Sequence, residues 1–196
     1  MANLSNFVPV KIPRTNRRFI KWCSCHLLTL LGWQISGSFP NEKKLILAVA
    51  PHTSNWDFVI GVIVKLALDL KLNFLGKDAI FIWPFNIWLE SIGGIAIDRK
   101  SAHGVVGQMV DKFGQQETLV LALAPEGTRS KVHEWKSGFL HIANKANVPV
   151  LPIQIDYKGK QVIFYQARNI SADIDDELQD IKSIFSKDCA KNPHNF

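Results

Sequence analysis

His52 and Asp57 lie five positions apart in "VAPHTSNWDF" (49–58), where an apolar run meets a polar patch. A helix turns about 100° per residue, so five steps put two residues on different faces. Contact between them requires His52 to lie outside a helix and to fold back on its first turn. Two readings are open. Ser54-Asn55-Trp56-Asp57 has the form of a capping box, with Ser54 as cap and Asp57 at the third helical position. Alternatively, Asp57 accepts the Nδ1 proton of His52, fixes its tautomer and leaves Nε2 as a base. The two jobs are compatible, because a first-turn carboxylate can point back at the turn before it.

Other reactive groups follow short apolar runs. "LILAVA" (45–50) leads into Pro51-His52, "TLVLALA" (118–124) into Pro125-Glu126-Gly127-Thr128-Arg129-Ser130, and "IGGIAI" (92–97) into Asp98-Arg99. If these runs are parallel strands, His52, Arg99, Glu126 and Arg129 converge at their carboxyl ends, where open α/β sheets bind ligands. Guanidinium groups match phosphate oxygens. Lys136, in "WKSGF" (135–139), precedes a helix expected near Ser137, and helix N-termini favour anions. Taken singly, each of these basic residues could equally make a surface ion pair. No protein nucleophile stands out: there is no G-x-S-x-G elbow, and the cysteines lie away from the motif. A base without a nucleophile points to a substrate hydroxyl, as on a phosphate-bearing alcohol.

The elements that must position these groups are legible in outline. The three runs, together with "VPVLPIQI" (148–155), are continuously apolar, as strands covered on both faces are. "QVIFYQ" (161–166) reads as a further, edge strand. Helical patterns fall at 55–70, 101–116, 137–146 and 173–187. Strands alternating with helices predict a single α/β domain with a mostly parallel central sheet flanked by helices. The expected organisation is a basic N-terminal arm and interfacial helix over 1–44, then the α/β domain over 45–196.

The chain has 196 residues, 47% hydrophobic and 20% charged, with a net charge of +6. Seven basic residues before position 46 (Lys11, Arg14, Arg17, Arg18, Lys21, Lys43, Lys44) against Glu42 account for the whole excess. Such an arm suits an anionic partner: nucleic acid, anionic lipid or an acidic protein. The aromatics sit among aliphatics rather than interleaved with Lys and Arg, which argues against nucleic acid. Residues 19–35, "FIKWCSCHLLTLLGWQI", are shorter than the roughly 20 apolar residues of a span and carry Lys21, Ser24, His26 and Gln34. No A-x-A-like cleavage site follows. The stretch reads as a helix lying in a membrane interface, with Trp22 and Trp33 at headgroup depth, or else as a core helix. Three cysteines form no paired framework, which suits a reducing compartment. Cys23, Cys25 and His26 have no second ligand cluster, so no metal is expected.

Four blocks, in order, resemble the glycerolphosphate and lysophospholipid acyltransferases: "HTSNWD" the H-x-x-x-x-D signature, "GGIAIDR" (93–99) the second block, "PEGTRS" (125–130) with "WKSGF" the third, and "VPVLPI" (148–153) the fourth. The third block begins with Ala124 where that family commonly has an aromatic. The resemblance implies acyl transfer from acyl-CoA or acyl carrier protein to a lysophospholipid hydroxyl such as that of 1-acylglycerol 3-phosphate. It implies no further cofactor, membrane lipids as partners, and a site at the cytoplasmic face of a membrane. Carried over by position, His52 is the base and Asp57 its partner. Arg99, Glu126, Gly127, Thr128, Arg129 and Lys136 bind the acceptor's phosphate side, and Pro152 shapes the pocket. "FIWPFNIWLESIGG" (81–94), with Phe81, Trp83, Phe85, Trp88 and Leu89, then becomes an acyl-chain wall or an interfacial patch, with ordinary core as the alternative. The rival readings are a hydrolase or remodelling acyltransferase with another acceptor, and a non-catalytic basic lipid-binding protein.

Overall fold

The structure is a computed structural model describing residues 7–97 and 104–196. Its centre is a run of strands whose residues are apolar at nearly every position: β2 (Lys44–Ala50), β5 (Leu119–Leu123) and β6 (Val150–Asp156). A strand with both faces apolar must be covered on both, and this one is. Leu45 and Leu47 of β2 enter one core with Leu28, Ile60 and Val64, while Ile46, Ala48 and Ala50 enter another with Met109, Phe139 and Leu140. The period-two alternation of a strand thus divides one apolar run between two helical layers.

With β1 (Gln34–Gly37), β3 (Asn73–Lys77), β4 (Gly94–Ile97) and β7 (Gln161–Phe164), the sheet order is β1-β7-β6-β2-β5-β3-β4. The pairs among β6, β2, β5, β3 and β4 are parallel, whereas β7 runs antiparallel to β6 and parallel to β1. Helices α1 (Arg18–Leu30) and α2 (Asn55–Ala67) supply the first core, and α4 (Gly104–Gln115), α5 (Gly138–Ala146) and α6 (Ile174–Ser183) the second. The short α3 (Phe85–Ser91) precedes β4.

Three features differ from the sequence reading. The helix expected to run to Ile35 stops at Leu30, because Gly32 (φ +75°) takes the left-handed conformation. Trp33 N–H donates to Leu28 O and Gly32 N–H to Thr29 O, a Schellman stop that releases the chain into β1. Second, the sequence suggests a boundary at residue 44, yet residues on both sides of it share one sheet and one core: β1 pairs with β7, and Val8, Ile12, Leu28 and Phe39 pack with Leu45 and Leu47. The arm is clamped by Asp69, which accepts the N–H groups of Asn16 (3.1 Å) and Arg17 (3.2 Å) and the Thr15 hydroxyl. That carboxylate stands at the start of α1, where the helix dipole favours negative charge. Third, β3, a strand absent from the sequence reading, lies between β5 and β4, so β4 is three places from β2, roughly 14 Å at about 4.8 Å per strand.

Candidate active site

The register of the parallel strands decides which loops meet. Ala48 of β2 is level with Leu123 of β5, and Ala50 is level with Gln154 of β6. His52, Glu126 and Tyr157 follow these positions by two or three residues and emerge side by side. A further neighbour of His52 is the end of β6, which the sequence reading did not include in the site. Arg99, expected from the end of β4, lies outside the described residues.

Ser54 caps α2, accepting the Trp56 N–H at 3.2 Å. Asp57 completes the box and does more. Its Oδ2 accepts the N–H groups of Thr53 and Ser54, both at 2.7 Å, and lies 3.3 Å from His52 Nδ1. Its Oδ1 accepts the Tyr157 hydroxyl at 2.7 Å. One geometry thus combines the capping box with a close approach of Asp57 to His52 Nδ1. The Asp57 side chain is 1% exposed and that of His52 21%. Burial works against the Asp57 charge, but the hydrogen bonds from His52, Tyr157 and Ser54 outweigh it and hold the carboxyl below its ordinary value. Burial, then the bond to Asp57, raises the Tyr157 phenol and keeps it a donor.

Glu126 is 3% exposed, and both its oxygens accept the His52 N–H, at 2.9 and 3.0 Å. Its carboxylate is turned to the histidine's backbone, unlike the exposed residues that follow it. Burial pushes its acidity to about 7 against the opposing pull of that N–H. Gly127 adopts φ +68°, and a Cβ there would meet Lys136 Cδ and Cε at 3.0 Å. Glycine thus lets the Lys136 side chain lie across the turn. Thr128, Arg129 and Lys136 are exposed and, with Gly127, line a cavity of about 1040 Å³ that His52 and Asp57 also line. Its walls are mostly apolar, with Val49, Phe58, Phe74 and Leu123 among them.

The aromatic stretch before the second block divides. Leu89 is buried and lines the cavity with Ile80, whereas Trp83, Phe85 and Trp88 are exposed. Phe19, Trp22 and Leu30 on α1 are also exposed, whereas Trp33 is half-buried and stands edge-on to Tyr157 at 5.2 Å. Among the described residues no helix is long and apolar enough to cross a membrane, and no cluster of three His, Cys, Asp or Glu side chains is arranged around a metal position.

Sequence reasoning missed three residues of this neighbourhood. Tyr157 had one available signal, its place directly after a core strand. Lys65, two turns along α2 from Asp57, lines the cavity and donates to Ile92 O; burial, then the Arg17 charge, lowers it to about 8. Asn192 holds Thr53 from behind, with its N–H on Thr53 Oγ1 (3.1 Å) and its amide on Thr53 O (3.0 Å).

A parallel-centred α/β sheet with a histidine–carboxylate pair at its strand ends defines the class. The family model described as Acyltransferase matches residues 34–156, and the chain belongs to that family. It is 35% identical over 124 residues to a Mycoplasma pneumoniae protein described as a probable 1-acyl-sn-glycerol-3-phosphate acyltransferase, covering 58% of this chain and 45% of that one. It is 27% identical over 130 residues to the 1-acyl-sn-glycerol-3-phosphate acyltransferase of Salmonella typhimurium, covering 62% and 51%. The chain thus spans about half the length of the curated relatives it matches. The crystal structure of the 1-acyl-sn-glycerophosphate (LPA) acyltransferase from Thermotoga maritima superposes with a TM-score of 0.55 at 21% identity, over 85% of this chain and 78% of that one, a likeness of fold.

Proposed function

We propose that the protein transfers a fatty acyl group from acyl-CoA or acyl carrier protein to the free hydroxyl of a lysophospholipid of the 1-acylglycerol 3-phosphate type. The observation that carries this is the His52–Asp57 pair on the wall of a largely apolar cavity whose exposed lining includes Arg129 and Lys136. With Nδ1 held by Asp57, Nε2 takes the proton of the acceptor hydroxyl as its oxygen attacks the thioester carbonyl. The tetrahedral oxyanion collapses, the C–S bond breaks, and the proton passes from His52 to the departing thiolate. General-base assistance of this kind contributes about 10²–10⁴-fold.

The apolar walls suit the acyl chain, at about 0.8 kcal/mol per buried methylene. Arg129, Lys136 and the Gly127-Thr128 turn, with Arg99, bind the acceptor's phosphate. Glu126 serves by holding the His52 backbone and not by touching the acceptor. Exposed Phe19 and Trp22 of α1 and Trp83 and Phe85 at the start of α3, with the basic arm, rest on the cytoplasmic face of a membrane.

The test is thiol release over a panel of lyso-acceptors, with acyl-CoA and acyl carrier protein each as donor. Release that depends on a lysophosphatidate acceptor supports the reading. Equal release with water alone makes the protein a hydrolase, and no release with any pair removes the acyl-transfer reading.

A further inference from the structure

We infer that Tyr157 is a positioning residue of the catalytic pair, acting through Asp57. The inference rests on the proposed role of His52 as base and adds a third member to that pair from the end of a different strand.

Asp57 has two oxygens and two tasks. Oδ2 carries three neighbours, the N–H groups of Thr53 and Ser54 at 2.7 Å and His52 Nδ1 at 3.3 Å. The terminal side-chain torsion of Asp is broad, and rotation about it moves both oxygens together, so a bond at Oδ1 also restrains Oδ2. Oδ1 has one partner, the Tyr157 hydroxyl at 2.7 Å. That bond fixes the plane of the carboxylate and so the angle at which Oδ2 meets the imidazole. It also supplies a donor to an oxygen buried from water, and bonds to an ionised acceptor are the stronger kind.

The phenol is itself fixed by separate parts of the chain. The backbone N–H of Tyr157 donates to Cys189 O at 2.8 Å, and Trp33, just beyond α1, stands edge-on to the phenol ring at 5.2 Å and 88°. Lys191 Nζ lies 5.2 Å from the ring centroid on the C-terminal segment, whose Asn192 also grips Thr53. None of these contacts uses the hydroxyl. Tyr157→Phe therefore removes the bond to Asp57 and keeps the ring's supports.

The experiment is a double-mutant cycle on the full chain, with kcat and KM measured for lysophosphatidate and acyl-CoA in wild type, Tyr157→Phe, Asp57→Asn and the double variant. Tyr157→Phe should lower kcat about tenfold with KM unchanged, and should lower the melting temperature modestly because Asp57 Oδ1 loses its donor. Its effect should vanish in the Asp57→Asn background, because the residue acts only through that carboxylate. Wild-type kcat in Tyr157→Phe, or the same loss with Asp57 already replaced, overturns the inference. Imidazole ¹⁵N resonances of His52 keep the question separate from the reaction. They should move in Tyr157→Phe even if the wild type transfers no acyl group, which would sink the proposed reaction alone. Unmoved resonances overturn the role of Tyr157.

Discussion

The backbone N–H of His52 is bound by both carboxylate oxygens of Glu126, at 2.9 and 3.0 Å, across the gap between two neighbouring strand ends. The peptide of His52 is thus tethered by a side chain from the loop after β5, while its imidazole lies against a side chain from α2. Glu126→Ala leaves the His52 N–H buried without that acceptor, at a cost of about 1–3 kcal/mol. The variant should melt earlier and turn over more slowly, whereas Glu126→Gln, which keeps one oxygen, should recover part of both. Thermal melts and kcat on the two variants check this.

Glu126 also gives the stability a pH signature. Its acidity lies at about 7 in the fold against an ordinary value of 4.5, so the folded protein holds this proton more tightly than the unfolded chain. The contribution is full below about 4.5 and is lost as pH rises through about 7. Asp57 has the opposite sign. Its folded value is depressed, so its contribution is present above the ordinary 3.8 and is lost as pH falls through the folded value. Melting curves of Glu126→Gln and wild type should therefore differ in slope between pH 4.5 and 7, the variant being the flatter.

His52→Ala should remove turnover, by at least about 10²-fold, and leave the melting temperature nearly unchanged. Asp57→Asn is the sharper test, because Asp57 both caps α2 and faces His52. Asparagine still caps, so the stability change should stay near 1 kcal/mol while kcat collapses. An Asn variant that keeps full activity would reduce Asp57 to a cap.

Much of this arrangement was legible because it is local. The apolar runs of β2, β5 and β6 and the capping box at Ser54 are signals that neighbouring residues carry by themselves. What escaped depends on which strands lie side by side. Tyr157 meets Asp57 only because β6 pairs with β2 in the register Ala50 to Gln154, and no pattern around residue 157 encodes that pairing. The same blindness hid β3, which lies between β5 and β4. Glu126 reads in the sequence as one of the residues on the acceptor's phosphate side, yet it is buried with its carboxylate on the His52 N–H. β1 was hidden by the apolar residues around Gly32, whose left-handed conformation ends α1. The Asp69 clamp on residues 15–17 spans more than fifty positions and has no local trace.

The exposed aromatics predict a docking face. Trp83 is 80% exposed and Phe85 62%, so replacing both with Ser should leave the melting temperature unmoved. Binding to vesicles containing phosphatidylglycerol should nevertheless weaken at least about tenfold, since burying aromatic area drives interfacial attachment. Arg17→Ala with Arg18→Ala should weaken it mainly at low salt, where charge attraction is least screened. Vesicle sedimentation at two ionic strengths separates the two contributions, and undiminished binding by the Trp83/Phe85 variant would move the membrane face elsewhere.

The cavity itself can be measured with a substitution on α2. Asp57, Gly61 and Lys65 are spaced four apart, so they stand on one face of the helix, and all three line the cavity. Eight residues of helix span about 12 Å, which puts Gly61 roughly 6 Å along from Asp57. A Cβ at Gly61 would meet nothing within 4 Å, so the space beside it is open. Gly61→Leu should fold at least as well as wild type, because Leu favours a helix over Gly by up to about 1 kcal/mol. Its side chain would occupy the space an acyl chain needs to pass toward Lys65. Long-chain donors should then lose kcat/KM while short-chain donors keep it, each excluded methylene forfeiting about 0.8 kcal/mol of burial. Thiol release across a series of acyl-CoA lengths reads this directly. A Gly61→Leu enzyme with the wild-type length profile would show that the acyl chain does not run along α2.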